Sequence, residues 1–296
     1  DLDVTNALVA AAKQKNFIVR AITGVLFVAI MVTGMLDPTA MIALFTIITC
    51  AAMWEYTGLI NTHVPGVQVN QFISTAAAAF LFLAMASYSS GMTTSEVFIP
   101  YLLTIIYLFI SELYTGNENA IADWAYTMLG QMYIALPFST INILAFQDSA
   151  GHVVFSTIIP LSVFLFLWMN DTGAYCTGSL FGRHKLFPRV SPGKSWEGSI
   201  GGGLLVLIVA AVIGYHAVGE GESVSYSVLK WMGMGLTVVF FGTWGDLVES
   251  LFKRTIGIKD SGNILPGHGG MLDRFDSSLM AIPACVIYLY AVQYFL

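Results

Sequence analysis

Between residues 245 and 276 the chain gathers Asp246, Glu249, Ser250, Lys253 and Arg254, then Lys259 and Asp260, then Pro266-Gly267-His268-Gly269-Gly270, then Asp273, Arg274 and Asp276. The hydrophobic fraction is 56% and only 10% of residues are charged, so ionisable groups collected between two apolar stretches mark where chemistry should be sought. Read as a helix, Asp246, Glu249, Ser250 and Lys253 fall at i, i+3, i+4 and i+7 and form one polar stripe, with Leu247, Val248, Leu251 and Phe252 turned away. Alone, such a stripe is also what a solvated helix end with Glu–Lys pairs looks like. Asp273 and Asp276 could equally cap the next helix. Their convergence with Asp246 on one loop favours a metal site, and hard oxygen ligands without His or Cys suit magnesium and phosphate chemistry. The glycines, including Gly269 and Gly270, suit presentation of backbone N–H groups to an anion, with Lys253, Arg254, Lys259 and Arg274 around them. His268 suits contact with phosphate, proton transfer or a hydrogen bond that stabilises the loop.

A second polar segment holds Asn170-Asp171-Thr172-Gly173-Ala174-Tyr175, then Gly178, Phe181-Gly182-Arg183-His184-Lys185 and Ser191-Pro192-Gly193-Lys194-Ser195-Trp196-Glu197-Gly198. Ala174, Gly178 and Gly182 recur every four residues, a spacing that lets membrane helices approach closely, and are read as packing. Ser191, Lys194 and Ser195 precede an apolar span, where free N–H groups at a helix start and one ammonium suit a phosphate. Arg183, Lys185 and Arg189 are equally explained as anchors at the membrane surface.

The elements that must position these residues are membrane helices. Nine apolar stretches have the length needed to cross a bilayer: 17–36, 39–60, 71–88, 97–114, 124–146, 153–169, 197–218, 227–245 and 277–295. The expected fold is an all-α polytopic membrane protein with two cytoplasmic motif loops, 170–196 and 246–276. Residues 1–150 form an N-terminal set of helices and residues 151–296 a catalytic region. Lys13, Lys15, Arg20, Arg183, Lys185, Arg189, Lys194, Lys253, Arg254, Lys259 and Arg274 then share one side and Lys230 lies on the other, which puts the N-terminus and both loops in the cytoplasm. A net charge of -6 with cations confined to these segments gives no sign of a nucleic acid partner. Cys50, Cys176 and Cys285 suggest neither disulfides nor zinc. The chain opens on Asp1, which suggests a trimmed start, and no small-residue cleavage site follows residues 13–40, so a cleaved signal peptide is not expected.

At this point the chain resembles the phosphatidate cytidylyltransferases, also called CDP-diacylglycerol synthases. The resemblance rests on Ser250, Lys253, Arg254, Lys259, Asp260, Pro266, His268, Gly269, Gly270, Asp273, Arg274 and Asp276, a long and specific pattern. It extends to Ala174, Tyr175, Gly178, Phe181 and Gly182, and to Ser191, Pro192, Lys194, Glu197 and Gly198, over roughly residues 165–280. Gly193 and Ser195 stand where the family often has a polar residue and Thr. The resemblance implies transfer of a cytidylyl group from CTP to phosphatidic acid within the bilayer of a bacterial inner membrane. It implies magnesium held by Asp246, Asp273 and Asp276, admits a monovalent cation such as potassium as a second ion, and implies a homodimer. Lys253, Arg254, Lys259 and Arg274 would stabilise the triphosphate, while Asp171, Ser191, Lys194, Ser195, Ser250, His268, Gly269 and Gly270 would bind substrate. Rival readings are a related enzyme acting on ether lipids or polyprenols, an anion-binding transporter and a non-catalytic scaffold. A transporter predicts ionisable groups near mid-membrane, whereas the charges here gather at helix ends.

Overall fold

A computed structural model describes residues 21–149, 151–262, 264 and 269–295. The cations Lys13, Lys15 and Arg20, and His268, lie outside them. Among the described residues, seven helical stretches are long and apolar enough to cross a membrane: Pro38–His63 (α2), Gln71–Ser89 (α3), Ser95–Thr115, which contains Ile99–Thr115 (α4), Ala120–Ala145, Trp196–His216 (α8), Val224–Thr255 (α9) and Leu272–Gln293. Two more helices accompany them, Ala21–Gly34 (α1) and Ile158–Phe181 (α7). These nine correspond one for one to the nine expected stretches, and the protein is an integral membrane protein of the all-α class.

Local chemistry sets where many of these helices begin. Asp37, Asn70, Asn119, Ser195 and Ser223 each accept a backbone N–H three residues on, from Ala40, Ile73, Ala122, Gly198 and Tyr226. These caps satisfy donors that would otherwise be orphaned at a helix start. Ala120–Ala145 is interrupted: Ala120–Gly130 (α5) passes through a π-turn at Gln131–Ala135 into Leu136–Ala145 (α6). Near the C-terminus a short helix, Leu272–Phe275 (α10), precedes Ser278–Phe295 (α11).

Two features depart from the expected loops. The segment expected as a loop from 170 is helical as far as Phe181, because its small residues continue α7 without a breaker and pack directly on α8. Two antiparallel hairpins also form, Phe146–Ser149 (β1) with His152–Phe155 (β2), and Lys185–Phe187 (β3) with Ser191–Ser195 (β4). The first occupies residues 153–155, placed by hydropathy at the start of a span. Gly151 turns it at φ 82°, with its N–H donated to Asp148.

One buried cluster runs from Met31 through Phe45, Phe138 and Phe164 to Phe275 and Cys285, joining both halves of the chain. Phe275 is its aromatic hub, with ring centroids 5.7 Å from Phe27, 5.6 Å from Phe138 and 6.1 Å from Phe164. Helix α4 lies at the opposite extreme: 6% of its span is buried, against 61% for Ala120–Ala145, so α4 is the helix most open to lipid. At the end away from the motif segments Lys230 pairs with Glu222 at 2.5 Å, and the ammonium holds that carboxyl below its usual range.

Helices α7 and α8 meet through glycines. A Cβ on Gly173 would lie 2.8 Å from the Gly202 Cα, and one on Gly198 would lie 2.9 Å from the Ala174 carbonyl oxygen. Gly202→Val should therefore lower the thermal midpoint in detergent by the equivalent of about 1–3 kcal/mol or more, because its Cβ would sit 2.6 Å from the Asn170 carbonyl and side-chain oxygens. Gly193→Ala, where an added Cβ meets nothing within 4 Å, should leave the midpoint unchanged. Equal midpoints for the two variants would contradict the close approach.

Candidate active site

The polar stripe exists and its members are engaged with one another. Helix α9 runs unbroken to Thr255, so Asp246, Glu249, Ser250 and Lys253 share a face as their spacing requires. The Ser250 hydroxyl donates to Asp246 Oδ1 at 3.1 Å. Lys253 Nζ lies 2.7 Å from Glu249 Oε2 and 2.6 Å from Asp273 Oδ1, bridging α9 to α10. Glu249 is fully buried, and among the described residues the Lys253 ammonium is the group that balances its carboxylate.

Asp273 is heavily engaged. Besides Lys253, it accepts the N–H groups of Ser261 at 2.9 Å and Gly270 at 2.8 Å on Oδ2. Gly270 thus gives its N–H to a protein carboxylate rather than to an external anion. Gly269 takes φ 83°, and a Cβ there would meet Asp273 Oδ2 at 2.5 Å, so this position requires glycine twice over.

A cavity of about 380 Å³ is lined by Asp171, Asp246, Asp273, Arg274 and Asp276, with Thr23 and Phe27 from α1 and Trp168 from α7. A second, of about 350 Å³, is lined by Asp171 again, with Tyr175, Gly193, Lys194, Ser195 and Thr243. Asp171 belongs to both cavities, and Lys194 of one pairs with Asp246 of the other at 2.5 Å. That pair also ties β4 to α9, so the two basic segments lie at the same end of the bundle. The charges of Asp246 and Glu249 bear on Asp276, and those of Asp246, Lys194 and Arg274 on Asp171. Tyr133, from the π-turn, holds a buried hydroxyl that has no hydrogen-bond partner among the described residues, within electrostatic reach of Glu249, Asp276 and Asp246.

Other candidates take local roles. Ser195 Oγ caps α8 by accepting from Gly198 at 3.2 Å, while Ser191 opens β4. Glu197 accepts the N–H groups of Arg183 and His184 at 3.2 Å and so fixes the hairpin to α8. Arg254 is exposed and donates to the Ile258 carbonyl at 3.1 Å, and Lys259 is exposed.

Reasoning from sequence passed over Glu55, on α2. It accepts the Met271 N–H at 2.8 Å, the Leu272 N–H at 3.0 Å and the Ser261 hydroxyl at 2.5 Å. A lone Glu inside an apolar stretch gives no sequence sign of partners more than 200 residues away.

The donor set is compatible with a hard cation. Its carboxylates, Asp171, Asp246, Asp273 and Asp276, offer oxygen only and outnumber the one cation, Arg274, that lines the same cavity. Among the described residues no three His, Cys, Asp or Glu groups stand close enough to hold one ion by themselves. Magnesium is commonly held by one or two carboxylates with substrate phosphates and water completing the shell, and this arrangement suits that mode better than a closed protein cage.

The model of the cytidylyltransferase family matches residues 16–292. The chain belongs to that family. It is 36% identical over 209 residues to the phosphatidate cytidylyltransferase of Staphylococcus haemolyticus, covering 70% of this chain and 75% of that protein. Identity to the Staphylococcus aureus protein of the same name is 35% over 209 residues, with the same coverage. The Haemophilus influenzae protein of that name is 31% identical over 246 residues, 78% of this chain and 83% of the relative.

In this cytidylyltransferase family member, Lys253 should be required for stability as well as for the site. Lys253→Met leaves the buried Glu249 without its cation and should cost about 3–5 kcal/mol, read as a lower thermal midpoint in detergent. Adding Glu249→Gln should recover most of that loss. A double variant as unstable as the single one would mean that Lys253 acts through packing instead of charge.

Proposed function

We propose that the protein transfers the cytidylyl group of CTP to phosphatidic acid, giving CDP-diacylglycerol and pyrophosphate, with its site on the cytoplasmic side of a bacterial cell membrane. The observation that carries this reading is the pair of cavities that share Asp171 and are joined by the Lys194–Asp246 contact. Two anionic substrates must meet in this reaction, and two adjoining polar cavities at one end of a membrane bundle give them room. The cytoplasmic assignment follows from cations gathered at that same end, with Lys230 at the other.

A phosphate oxygen of the lipid attacks the α-phosphorus of CTP. One P–O bond forms, the α–β phosphoanhydride bond breaks, and pyrophosphate leaves with the electron pair. Phosphatidic acid is already an anion near neutral pH, so no strong base is required. Arg274, which lines the acidic cavity, and Lys253, paired with Asp273 of that cavity, would lower the repulsion between the two anions and stabilise the departing pyrophosphate, with Arg254 and Lys259 adding positive charge. Asp246 and Asp276, with Asp171 beside them, would hold magnesium, and a second cation, divalent or monovalent such as potassium, would share the same carboxylates. Magnesium bound there neutralises and polarises phosphoryl oxygens. Asp273 lines the same cavity, and its Oδ1, engaged by Lys253 alone, would be the oxygen to join as a ligand. The acceptor keeps its acyl chains in lipid, which is the physical reason for building the site at the end of membrane helices.

Purified protein with magnesium should release pyrophosphate from CTP only when phosphatidic acid is present. Asp246→Asn and Asp276→Asn should each lower kcat by about 100-fold or more. Lipid-independent release, or full activity in both variants, would contradict the proposal.

A further inference from the structure

Glu55 lies at the junction of the two halves of the chain, and its surroundings are built around its carboxylate. Three donors from residues 261–272 converge on it: the Ser261 hydroxyl and the Leu272 N–H on Oε1, and the Met271 N–H on Oε2. Gly262 and Gly270 flank it. A Cβ on Gly262 would sit 2.8 Å from Oε2, and one on Gly270 would collide with Oε1. Two glycines of the motif loop therefore make space for a carboxylate delivered from α2. The next residue, Tyr56, stacks on Phe252 of α9 with ring centroids 5.6 Å apart, which fixes the height of α2 against the end of α9.

The contacts continue from Glu55 into the charged site. Ser261, buried at 4% exposure, gives its hydroxyl proton to Glu55 and accepts the Asp273 N–H at 3.3 Å. Asp273 in turn holds Lys253, and Lys253 contacts Glu249. Glu55 lines neither cavity and so touches no reacting atom.

We infer that Glu55 is a positioning residue for cytidylyl transfer: by tying α2 to Ser261, Met271 and Leu272 it holds Asp273, which lines the acidic cavity, and the Lys253 paired with Asp273 in register with that cavity. This inference rests on the proposed reaction. A charged acceptor is needed rather than any polar group of the same size, because both oxygens face backbone N–H donors. Glutamine, in either flip, would set its NH₂ against one of them. A misplaced backbone lowers the fraction of molecules with a competent site, and an error of about 1 Å is enough to cost on the order of 100-fold in rate.

The test compares wild type, Glu55→Gln, Ser261→Ala and the double variant in lipid-dependent pyrophosphate release, alongside hydrogen exchange of the Met271 and Leu272 amides. Glu55→Gln should lower kcat about 10- to 100-fold per folded molecule. The KM for CTP should move less than about threefold, because Glu55 is outside both cavities. The double variant should be no slower than the slower single variant, since both interrupt one chain of contacts. Exchange at the two amides should rise about tenfold or more in Glu55→Gln. A kcat within twofold of wild type, a loss explained wholly by a smaller folded fraction, or unchanged exchange would overturn the inference. If Glu55→Gln does not fold, Ser261→Ala decides, because it removes one donor without touching α2: unchanged kcat and exchange there would overturn the inference as well. If wild type itself makes no product, the proposed reaction fails, and the exchange measurement still judges the clamp.

Discussion

Asp171, Asp246 and Asp276 line one cavity at one end of a helical bundle, with the buried Glu249 one turn from Asp246 on α9, and carboxylates gathered this closely repel one another when charged. Such a cluster persists only when cations are held against it and the backbone cannot relax away. Lys253 serves two carboxylates at once, Lys194 reaches across from the β3–β4 hairpin to Asp246, and Arg274 faces the cavity. Carboxylates thus outnumber cations around the cavity, the composition that the proposed cation site needs if a nucleotide triphosphate and a lipid phosphate are to meet there.

Rigidity around the cluster has three separate sources. Phe275, between Arg274 and Asp276, buries its ring among phenylalanines from α1, α2, α6 and α7, which seats the two polar neighbours at the core boundary. Glycines bring α7 against α8 closely enough to set Asp171 beside the β3–β4 hairpin. Glu55 gathers the loop ahead of α10. Each device uses a different chemistry: aromatic packing, close backbone approach and hydrogen bonding. The helices of the first half, remote in sequence from the motifs, supply two of the three.

What the sequence made legible follows from interaction range. The apolar helices are local facts about some twenty consecutive residues, and each of the nine expected stretches meets one, seven of them, among the described residues, long and apolar enough to cross a membrane. The stripe on α9 was readable because helical period alone puts Asp246, Ser250 and Lys253 on one face. Glu55 was not readable, because its partners come from residues 261–272 and nothing near residue 55 announces them. The glycine loop was legible as a place that needs glycine, but not for what. Two of its members admit the Glu55 carboxylate, and Gly270 donates to Asp273, whereas composition suggested donors free for an anion. The helical course of residues 170–181 was hidden by polar residues that normally read as loop, here tolerated because Gly173 and Gly178 face Gly198 and Gly202 on α8.

The central claim is that the acidic end of the bundle collects divalent cations together with nucleotide. Manganese, substituted for magnesium in crystals grown with CTP, would report this directly through its anomalous scattering. The account places the peak in the cavity lined by Asp171, Asp246 and Asp276, with nucleotide phosphate beside it. A peak elsewhere, or nucleotide phosphates bound at a distance from these carboxylates, would contradict it.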